Sequence, residues 1–319
     1  MINSEKTKSL SIKYKIISFL QSCRLSLWFF GSVFFLLGEW YSIQKFPIIP
    51  SVIALIGLCG IYSAGAMLNN TFDKKFDIFA RKPIVRIFMY IEPEEMLWSS
   101  VFLIIFSLSI LLLFTNLNVF LIGLLIAIFG IIYSVPPVRF KTKPPLDAIS
   151  NVIIFTLPFF MGWAISNNPV QLESLMYGLI IGLMILYVFF SYTSIDIEVD
   201  KEFNIVTSCT KLGRFFSLLT GLIICIIALM LSIYLLGFND ILTISIIVCL
   251  PFALVSLKIH NNRKYLVNLV GGRSISFFAG AILILLVLNI QNILPVIFLL
   301  IWLFLTLTDI TNFIKKKIN

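Results

Sequence analysis

The sequence predicts an all-α polytopic membrane protein. Hydrophobic residues make up 60% of the 319 positions, charged residues only 12%, and the mean hydropathy is +1.04. A soluble domain ordinarily carries about a quarter charged residues, so soluble enzyme folds are excluded. At roughly 20 residues per span with short connections, the chain has room for about nine to eleven helices and no appreciable soluble domain.

Ten apolar stretches, each bounded by charges, proline or glycine, predict ten membrane-spanning helices. In order they are residues 15–38, 48–71, 97–115, 118–135, 148–166, 173–195, 215–236, 240–257, 270–290 and 293–311. Polar connections at 72–96, 136–147, 196–214 and 258–269 follow the second, fourth, sixth and eighth helices, whereas the other connections are short and nearly uncharged. The last two stretches also allow a single kinked helix, because Asn289, Gln291, Asn292 and Pro295 leave only a tight turn between them.

The distribution of basic residues predicts the orientation. With ten spans, all but two of the 24 Lys and Arg residues fall on one side of the membrane, the exceptions being Arg24 within the first span and Lys45. Basic loops stay cytoplasmic, so we expect both termini and the polar loops in the cytoplasm of a protein of the cell membrane. We expect one domain over 1–319, with a basic N-terminal segment at 1–14, no removed signal peptide, and an extra helix with a basic tail at 293–319.

The net charge of +9 and the five cysteines indicate no further class of site. Anionic lipid and topology account for the positive charge, so no nucleic-acid partner is required. The cysteines are scattered singly, without the spacing of a zinc site or the density of a disulfide framework.

The most informative segment lies at the predicted cytoplasmic end of the second span. Asn69, Asp73 and Asp77 are spaced four residues apart, so a helix places them within about 80° of one another on one polar stripe. The end of the sixth span repeats the spacing with Tyr192, Asp196 and Asp200, giving two Asp pairs on the same membrane side.

Facing carboxylate pairs fit Mg²⁺, a hard ion that takes one or two carboxylates from a protein and fills its remaining positions with water and phosphate oxygens. The alternative is that each pair is a solvated helix end that forms salt bridges with neighbouring lysines. Two such pairs with an adjoining amide favour the metal interpretation.

Basic residues near the acidic pairs predict a phosphate site. The proline-rich turn after the fourth span carries Arg139, Lys141 and Lys143, which suit phosphate oxygens. Arg81 and Lys82 follow the first acidic segment and are further candidates for diphosphate contact. For each cation the alternative is a purely topological role. For Arg24 two roles stay open, namely contact with the diphosphate and snorkelling of its side chain to the membrane surface.

These segments resemble the UbiA-type intramembrane prenyltransferase superfamily, whose motifs are NDxxDxxxD after the second helix and DxxDxxxD after the sixth. This chain matches at Asn69, Asp73, Asp77, Asp196 and Asp200, but it has Asn70 and Thr193 where the family usually has Asp. The run YSVPPVRFKTKP also resembles the family's YSxPPxRxKxRP segment.

The resemblance implies a ring of about nine helices around a central cavity, with a tenth helix as an addition. It implies a prenyltransferase of the class that transfers alkyl groups other than methyl, acting on a polyprenyl or allylic diphosphate and a lipophilic acceptor. Asn69, Asp73, Asp77, Asp196 and Asp200 would hold Mg²⁺, with the Asp residues as the catalytic set. Asn69, Arg139, Lys141, Lys143, Arg81 and Lys82 would bind diphosphate, and Tyr62, Phe72 and Tyr192 would shield an allylic cation.

The acceptor is predicted from two short segments. The segments RFKTKPPLDAISN and LPFFMGWA resemble the carotenoid-elongating branch that acts on lycopene, while quinone precursors and archaeal-type lipids stay open as acceptors. Glu198 is a candidate for the proton-abstracting base. The non-enzyme alternative is an ion-coupled transporter of an anionic lipid, although transporters place such acids near the bilayer midplane.

Overall fold

The computed structural model describes residues 12, 14–44, 46–79, 83–269, 275–289 and 293–304. Over these residues the secondary structure is helical and contains no strand. Most of the predicted N-terminal segment 1–14 and the basic tail from residue 305 onwards lie outside the described residues.

Fourteen α-helices follow one another along the described chain. Their bounds are α1 (14–22), α2 (Leu25–Ile43), α3 (Ile48–Phe79), α4 (Pro93–Phe114), α5 (Leu117–Ser134), α6 (Leu146–Ala164), α7 (Leu172–Thr193), α8 (Ile197–Glu202), α9 (Ser208–Leu212), α10 (Arg214–Leu236), α11 (Ile241–Lys258), α12 (Arg263–Leu269), α13 (Ile275–Asn289) and α14 (Ile293–Phe304). Short 3₁₀ helices occupy Pro83–Met89 and Phe140–Thr142.

The hydropathy pattern located most spans to within a few residues. Within the described ranges, seven helices are long and apolar enough to cross a membrane, namely α3, α4, α5, α6, α7, α10 and α11. With several such helices, the chain is an integral multi-pass membrane protein.

The first span differs from its prediction. Instead of one helix over 15–38, the chain forms α1 and α2, which are separated at Arg24. Arg24 adopts a left-handed backbone conformation with φ of 47°, which ends helical continuity. A basic side chain is costly within hydrocarbon, so a helix that begins just after Arg24 keeps the charge at its end.

Helix packing is consistent with the predicted ring. Neighbouring contacts run from α2 to α3, α5, α6, α7, α10, α11 and α13, and then return to α2, while α4 packs outside α3 and α5. The count of nine membrane-spanning helices in the ring stays a prediction.

Helices α13 and α14 form an antiparallel hairpin, so the alternative of one kinked helix over both stretches is excluded. The Trp302 indole Nε1 donates to the Ser276 carbonyl oxygen at 2.8 Å and to Ser276 Oγ at 2.9 Å. A continuous helix would separate these residues by about 39 Å. The indole ring packs over Gly280, where an added Cβ would overlap the ring.

Helices α2 and α6 approach each other most closely at two glycines. A Cβ at Gly38 would overlap the carbonyl oxygen of Phe159, and a Cβ at Gly162 would overlap that of Phe35. Both glycines lie near the C-terminal ends of their helices. This contact therefore joins α2 tightly to α6 at the end of the bundle opposite the two acidic segments.

Candidate active site

A cavity of about 610 Å³ lies inside the helix bundle. One end is lined by polar side chains from the C-terminal part of α3, the segment after α7 and the α5–α6 loop. Elsewhere the lining is apolar and aromatic and comes mainly from α2, α3, α5, α6, α7 and α13. The cavity thus combines a charged end with an apolar interior.

The first acidic segment forms the predicted stripe. Helix α3 continues to Phe79, so Asn69, Asp73 and Asp77 stand on successive turns of one uninterrupted helix. All three line the cavity. Asp73 is 5% exposed and Asp77 is 2% exposed, so these acids are not solvated helix ends.

Two predicted phosphate-binding cations contact Asp73. Arg139 Nη2 donates to Asp73 Oδ1 at 2.8 Å, and Lys141 Nζ forms an ion pair with Asp73 Oδ2. Lys141 also donates to Asn69 Oδ1 at 3.4 Å and lines the cavity. The α5–α6 loop therefore carries positive charge directly onto the acidic stripe of α3.

The backbone of the α5–α6 loop explains how these side chains diverge. Arg139 has a left-handed φ of 37°, and its carbonyl oxygen accepts from Thr142 Oγ1 at 3.0 Å, which closes a tight turn. Lys143, at the end of this turn, donates to the Pro137 carbonyl oxygen at 3.3 Å and is not part of the cavity lining. In this position the turn directs the Lys143 side chain back onto the loop, and its diphosphate contact stays a prediction.

The second acidic segment also lines the cavity, but it is not a continuation of the sixth span. Helix α7 ends at Thr193, and Asp196 precedes the short helix α8. The Asp200 amide donates to the Asp196 carbonyl oxygen at 2.8 Å, so the two acids are one helical turn apart as predicted. Tyr192 belongs to α7, yet it lines the same cavity as Asp196 and Asp200.

Two of the three predicted cation-shielding aromatic residues are part of the cavity wall. Tyr62 and Tyr192 line the cavity, and Tyr62 stacks on Phe155 with ring centroids 5.5 Å apart. Phe72 is outside the lining, whereas Phe76 lies within it, and the shielding role of Phe72 stays a prediction. On α3, Phe76 falls about 20° from Asn69 in projection and Phe72 about 60°, so only Phe76 shares the stripe that faces the cavity.

Asp147 is a cavity-lining acid to which the sequence analysis gave no role. It is 1% exposed, and its carboxylate accepts from the Ser208 amide and from Ser208 Oγ, both at 2.6 Å. This contact fixes the segment after α8 against the start of α6. Because Ser208 lies far along the chain, no local pattern around Asp147 indicates the contact.

The surroundings of Cys209 show how shielded this region is. Burial raises the pKa of the Cys209 thiol to about 12, and the nearby charges of Asp147 and Asp200 raise it further. The thiol is therefore protonated at neutral pH and is no candidate nucleophile.

The position of Glu198 does not favour its predicted role as a base. It forms ion pairs with Arg214 and with Arg263, the latter at 3.8 Å, and it is absent from the cavity lining. The helical break after Thr193 changes its direction relative to a continuous helix. The predicted sites Arg81 and Lys82 lie outside the described residues.

The C-terminal hairpin contributes to the cavity wall. Ser276, Phe278 and Trp302 are among the lining residues, and the Phe278 ring lies 6.1 Å from that of Phe34 on α2. The predicted additional helix is thus part of the site's enclosure.

No three Asp, Glu, His or Cys side chains in the described ranges come together as a metal-binding cluster. The five predicted metal ligands all line the cavity, but they do so from two separate segments.

Comparison with known proteins identifies a family. The sequence model of the UbiA prenyltransferase family matches residues 31–266, which is most of the chain. A lycopene elongase/hydratase from Haloarcula japonica is 38% identical over 82 residues, which cover 26% of this chain and 27% of that protein. The chain therefore matches about a quarter of the length of this curated relative.

Solved structures share the fold. A UbiA homologue from Archaeoglobus fulgidus, bound to GPP and Mg²⁺, has a TM-score of 0.64 at 18% identity, covering 83% of this chain and 99% of that chain. A structure of digeranylgeranylglyceryl phosphate synthase has a TM-score of 0.58 at 22% identity, covering 84% of this chain and 99% of that chain.

Proposed function

The chain belongs to the UbiA prenyltransferase family, and from this premise we propose that it uses Mg²⁺ to ionise an allylic or polyprenyl diphosphate and transfers the prenyl group to a carotenoid such as lycopene. Members of the family are prenyltransferases, so the chain is an intramembrane prenyltransferase. The observation that carries the finer proposal is one cavity whose charged end holds both acidic segments and Lys141, and whose remaining walls are apolar.

The donor atoms of the charged end fit Mg²⁺. Carboxylate and amide oxygens are hard ligands, and Mg²⁺ sites commonly use one or two protein carboxylates together with substrate phosphate oxygens. A site completed by the substrate needs no cluster of three protein acids, which agrees with the described residues. Asn69, Asp73 and Asp77 would hold the metal from one side, and Asp196 and Asp200 from the other. Bound there, Mg²⁺ would neutralise diphosphate charge.

The chain's own cations would support ionisation of the diphosphate donor. As the donor's C–O bond breaks, the electron pair goes to the diphosphate, whose negative charge grows. Lys141 lines the cavity beside Asn69, and Arg139, which is outside the lining, is held next to it by Asp73. An ammonium and a guanidinium group are thus oriented at the charged end by the chain itself. Groups that are already oriented stabilise developing charge without reorganisation.

The apolar walls suit the second half of the reaction. Ionisation leaves an allylic cation, which water would quench. Tyr62, Phe155 and Tyr192 present ring faces or edges to the cavity, where they exclude water and stabilise positive charge. A terminal double bond of the acceptor forms the new C–C bond, and loss of a proton or addition of water neutralises the resulting cation.

The acceptor proposal rests on two lines of support. The curated relative that matches over 82 residues is a lycopene elongase/hydratase. The apolar part of the cavity offers a hydrocarbon chain the contact it needs without a dedicated polar group. An archaeal-type lipid is the second candidate acceptor, since digeranylgeranylglyceryl phosphate synthase shares the fold. A quinone precursor stays an open alternative. We propose the cell membrane as the location, with the charged end facing the cytoplasm.

Expression in a lycopene-producing bacterial host tests the acceptor. We expect a C45 or C50 pigment by mass analysis, which an Asp73→Asn variant should fail to form. Unchanged lycopene together with a newly prenylated quinone or aromatic acid would overturn the carotenoid proposal.

The metal is tested with purified protein, DMAPP or GPP, and an acceptor extract. Transfer should stop in excess chelator and return when Mg²⁺ is added. Full transfer in chelator would overturn the metal proposal and leave the acceptor result intact.

A further inference from the structure

Arg24 stands at the break between α1 and α2 and lines the cavity together with the acidic segments. Its Nη2 donates to Asn70 Oδ1 at 2.5 Å. Among the described residues no carboxylate lies within ion-pair distance of Arg24. Its charge therefore has an amide as its partner, while the charge of Lys141 is shared with Asp73.

Asn70 is held in a way that only an amide allows. The side chain is fully buried, and its Nδ2 donates to the Ser22 carbonyl oxygen at 3.2 Å while its Oδ1 accepts from Arg24. Arginine only donates and a carbonyl only accepts, so both ends of the amide have a fixed orientation. An ionised Asp at this position would accept from Arg24 but would place a second acceptor against the Ser22 carbonyl oxygen.

Asn70 does not line the cavity, although it directly follows Asn69, which does. Position 70, where the family usually has Asp, thus faces the α1–α2 break. In this chain it ties the end of α1 and the guanidinium of Arg24 to α3.

We propose that Arg24 is a further cation that contacts the donor's diphosphate, and that Asn70 is a positioning residue that holds Arg24 at the cavity with its charge uncompensated. The inference rests on the proposed function, since it assigns a residue to the same charged end. The proposed contact is a set of charge-assisted hydrogen bonds from the Arg24 guanidinium to phosphate oxygens. This contact is strongest when no carboxylate competes for the guanidinium.

Binding of inorganic diphosphate tests this assignment without any prenyl transfer. The measurement is the diphosphate concentration needed to raise the thermal unfolding midpoint of the full-length protein in detergent, with Mg²⁺ present. Arg24→Gln should weaken diphosphate binding about tenfold to a hundredfold, as expected for loss of one charge-assisted hydrogen bond. Arg86→Gln is the matched control, because Arg86 is exposed and outside the cavity lining.

Asn70→Asp separates the positioning role from a metal role. An Asp at position 70 would compensate the charge of Arg24, so diphosphate binding and the donor KM should worsen about tenfold. In the Arg24→Gln background the same change should have little further effect, because the two residues act as one unit. Lower donor KM or higher kcat in Asn70→Asp would identify position 70 as a metal ligand and overturn the proposal.

The outcomes also distinguish this inference from the proposed function. Diphosphate binding that is equal in wild type and Arg24→Gln overturns the role of Arg24 and leaves the prenyltransferase proposal standing. A wild-type protein that binds no diphosphate overturns both.

Discussion

Removal of the negative charge at Asp73 tests the central contact of the charged end. Asp73 is buried and holds Arg139 and Lys141 through separate carboxylate oxygens. Asp73→Asn keeps the shape of the side chain but leaves both cations without this counter-ion. The variant therefore changes electrostatics more than packing.

The magnitude follows from the exposure of the partners. The Arg139 side chain is 26% exposed and that of Lys141 is 17% exposed, so both retain some hydration after losing the carboxylate. We expect the free energy of unfolding to fall by about 1–3 kcal/mol, below the loss for a fully buried pair. We expect kcat to fall by about 10²- to 10³-fold, the usual effect of removing one oriented electrostatic group.

The donor KM should behave differently from kcat. Two effects on KM oppose each other, because Arg139 and Lys141 are released to bind diphosphate while one proposed Mg²⁺ ligand is lost, so KM should change much less than kcat. Steady-state prenyl transfer with a radiolabelled donor gives both constants, and thermal unfolding in detergent gives stability. Asp240→Asn is the matched control, because Asp240 pairs with Tyr41 at 2.6 Å and caps α11, away from the cavity lining.

A wild-type kcat in Asp73→Asn would refute the reasoning, because the acidic stripe would then have no part in ionisation. A kcat that is unchanged while KM rises would assign Asp73 to substrate binding alone.

Four further outcomes are expected. Gly162→Ala should lower the free energy of unfolding by at least about 2 kcal/mol, and with it the yield of folded protein and the unfolding midpoint, because the new methyl group overlaps the Phe35 carbonyl oxygen. An unchanged midpoint would contradict the close approach of α2 and α6. Glu198→Gln should keep kcat within about twofold and cost under about 1 kcal/mol, since Glu198 is half exposed and outside the cavity; a large loss of kcat would restore it as a base. Trp302→Phe should cost about 1 kcal/mol, because the Ser276 oxygens lose the indole donor, and a melt identical to wild type would argue against the hairpin. A tag at the C-terminus should be accessible from the cytoplasm, and a tag on the far side would mean an odd number of crossings.

The parts of the fold that the sequence predicted are those set by local chemistry. Apolar length and bounding polar residues located most spans, because the hydrocarbon core requires about 20 apolar residues per helix. The four-residue spacing of Asn69, Asp73 and Asp77 predicted one stripe, since helical geometry depends only on the residues within it.

The features that the sequence did not predict depend on contacts between distant residues or on breaks in helices. Hydropathy continues through Arg24, so the separation of α1 from α2 was missed; the buried Asn70 that holds Arg24 lies on α3. Helix α7 ends at Thr193, so spacing along the sequence could not give the direction of Glu198. The partner of Asp147 lies 61 residues away, beyond any local spacing argument.

The glycine contact between α2 and α6 has a kinetic consequence. With backbone against backbone at Gly38 and Gly162, α2 and α6 leave no gap between them at the end of the bundle away from the acidic segments. The proposed hydrocarbon acceptor dissolves in the bilayer, so we expect it to enter the cavity sideways from the surrounding lipid. The concentration that governs the rate is then the acceptor's mole fraction in the membrane. Adding inert phospholipid to proteoliposomes at constant total acceptor should therefore slow transfer, whereas changing the volume of the aqueous phase should leave the rate unchanged.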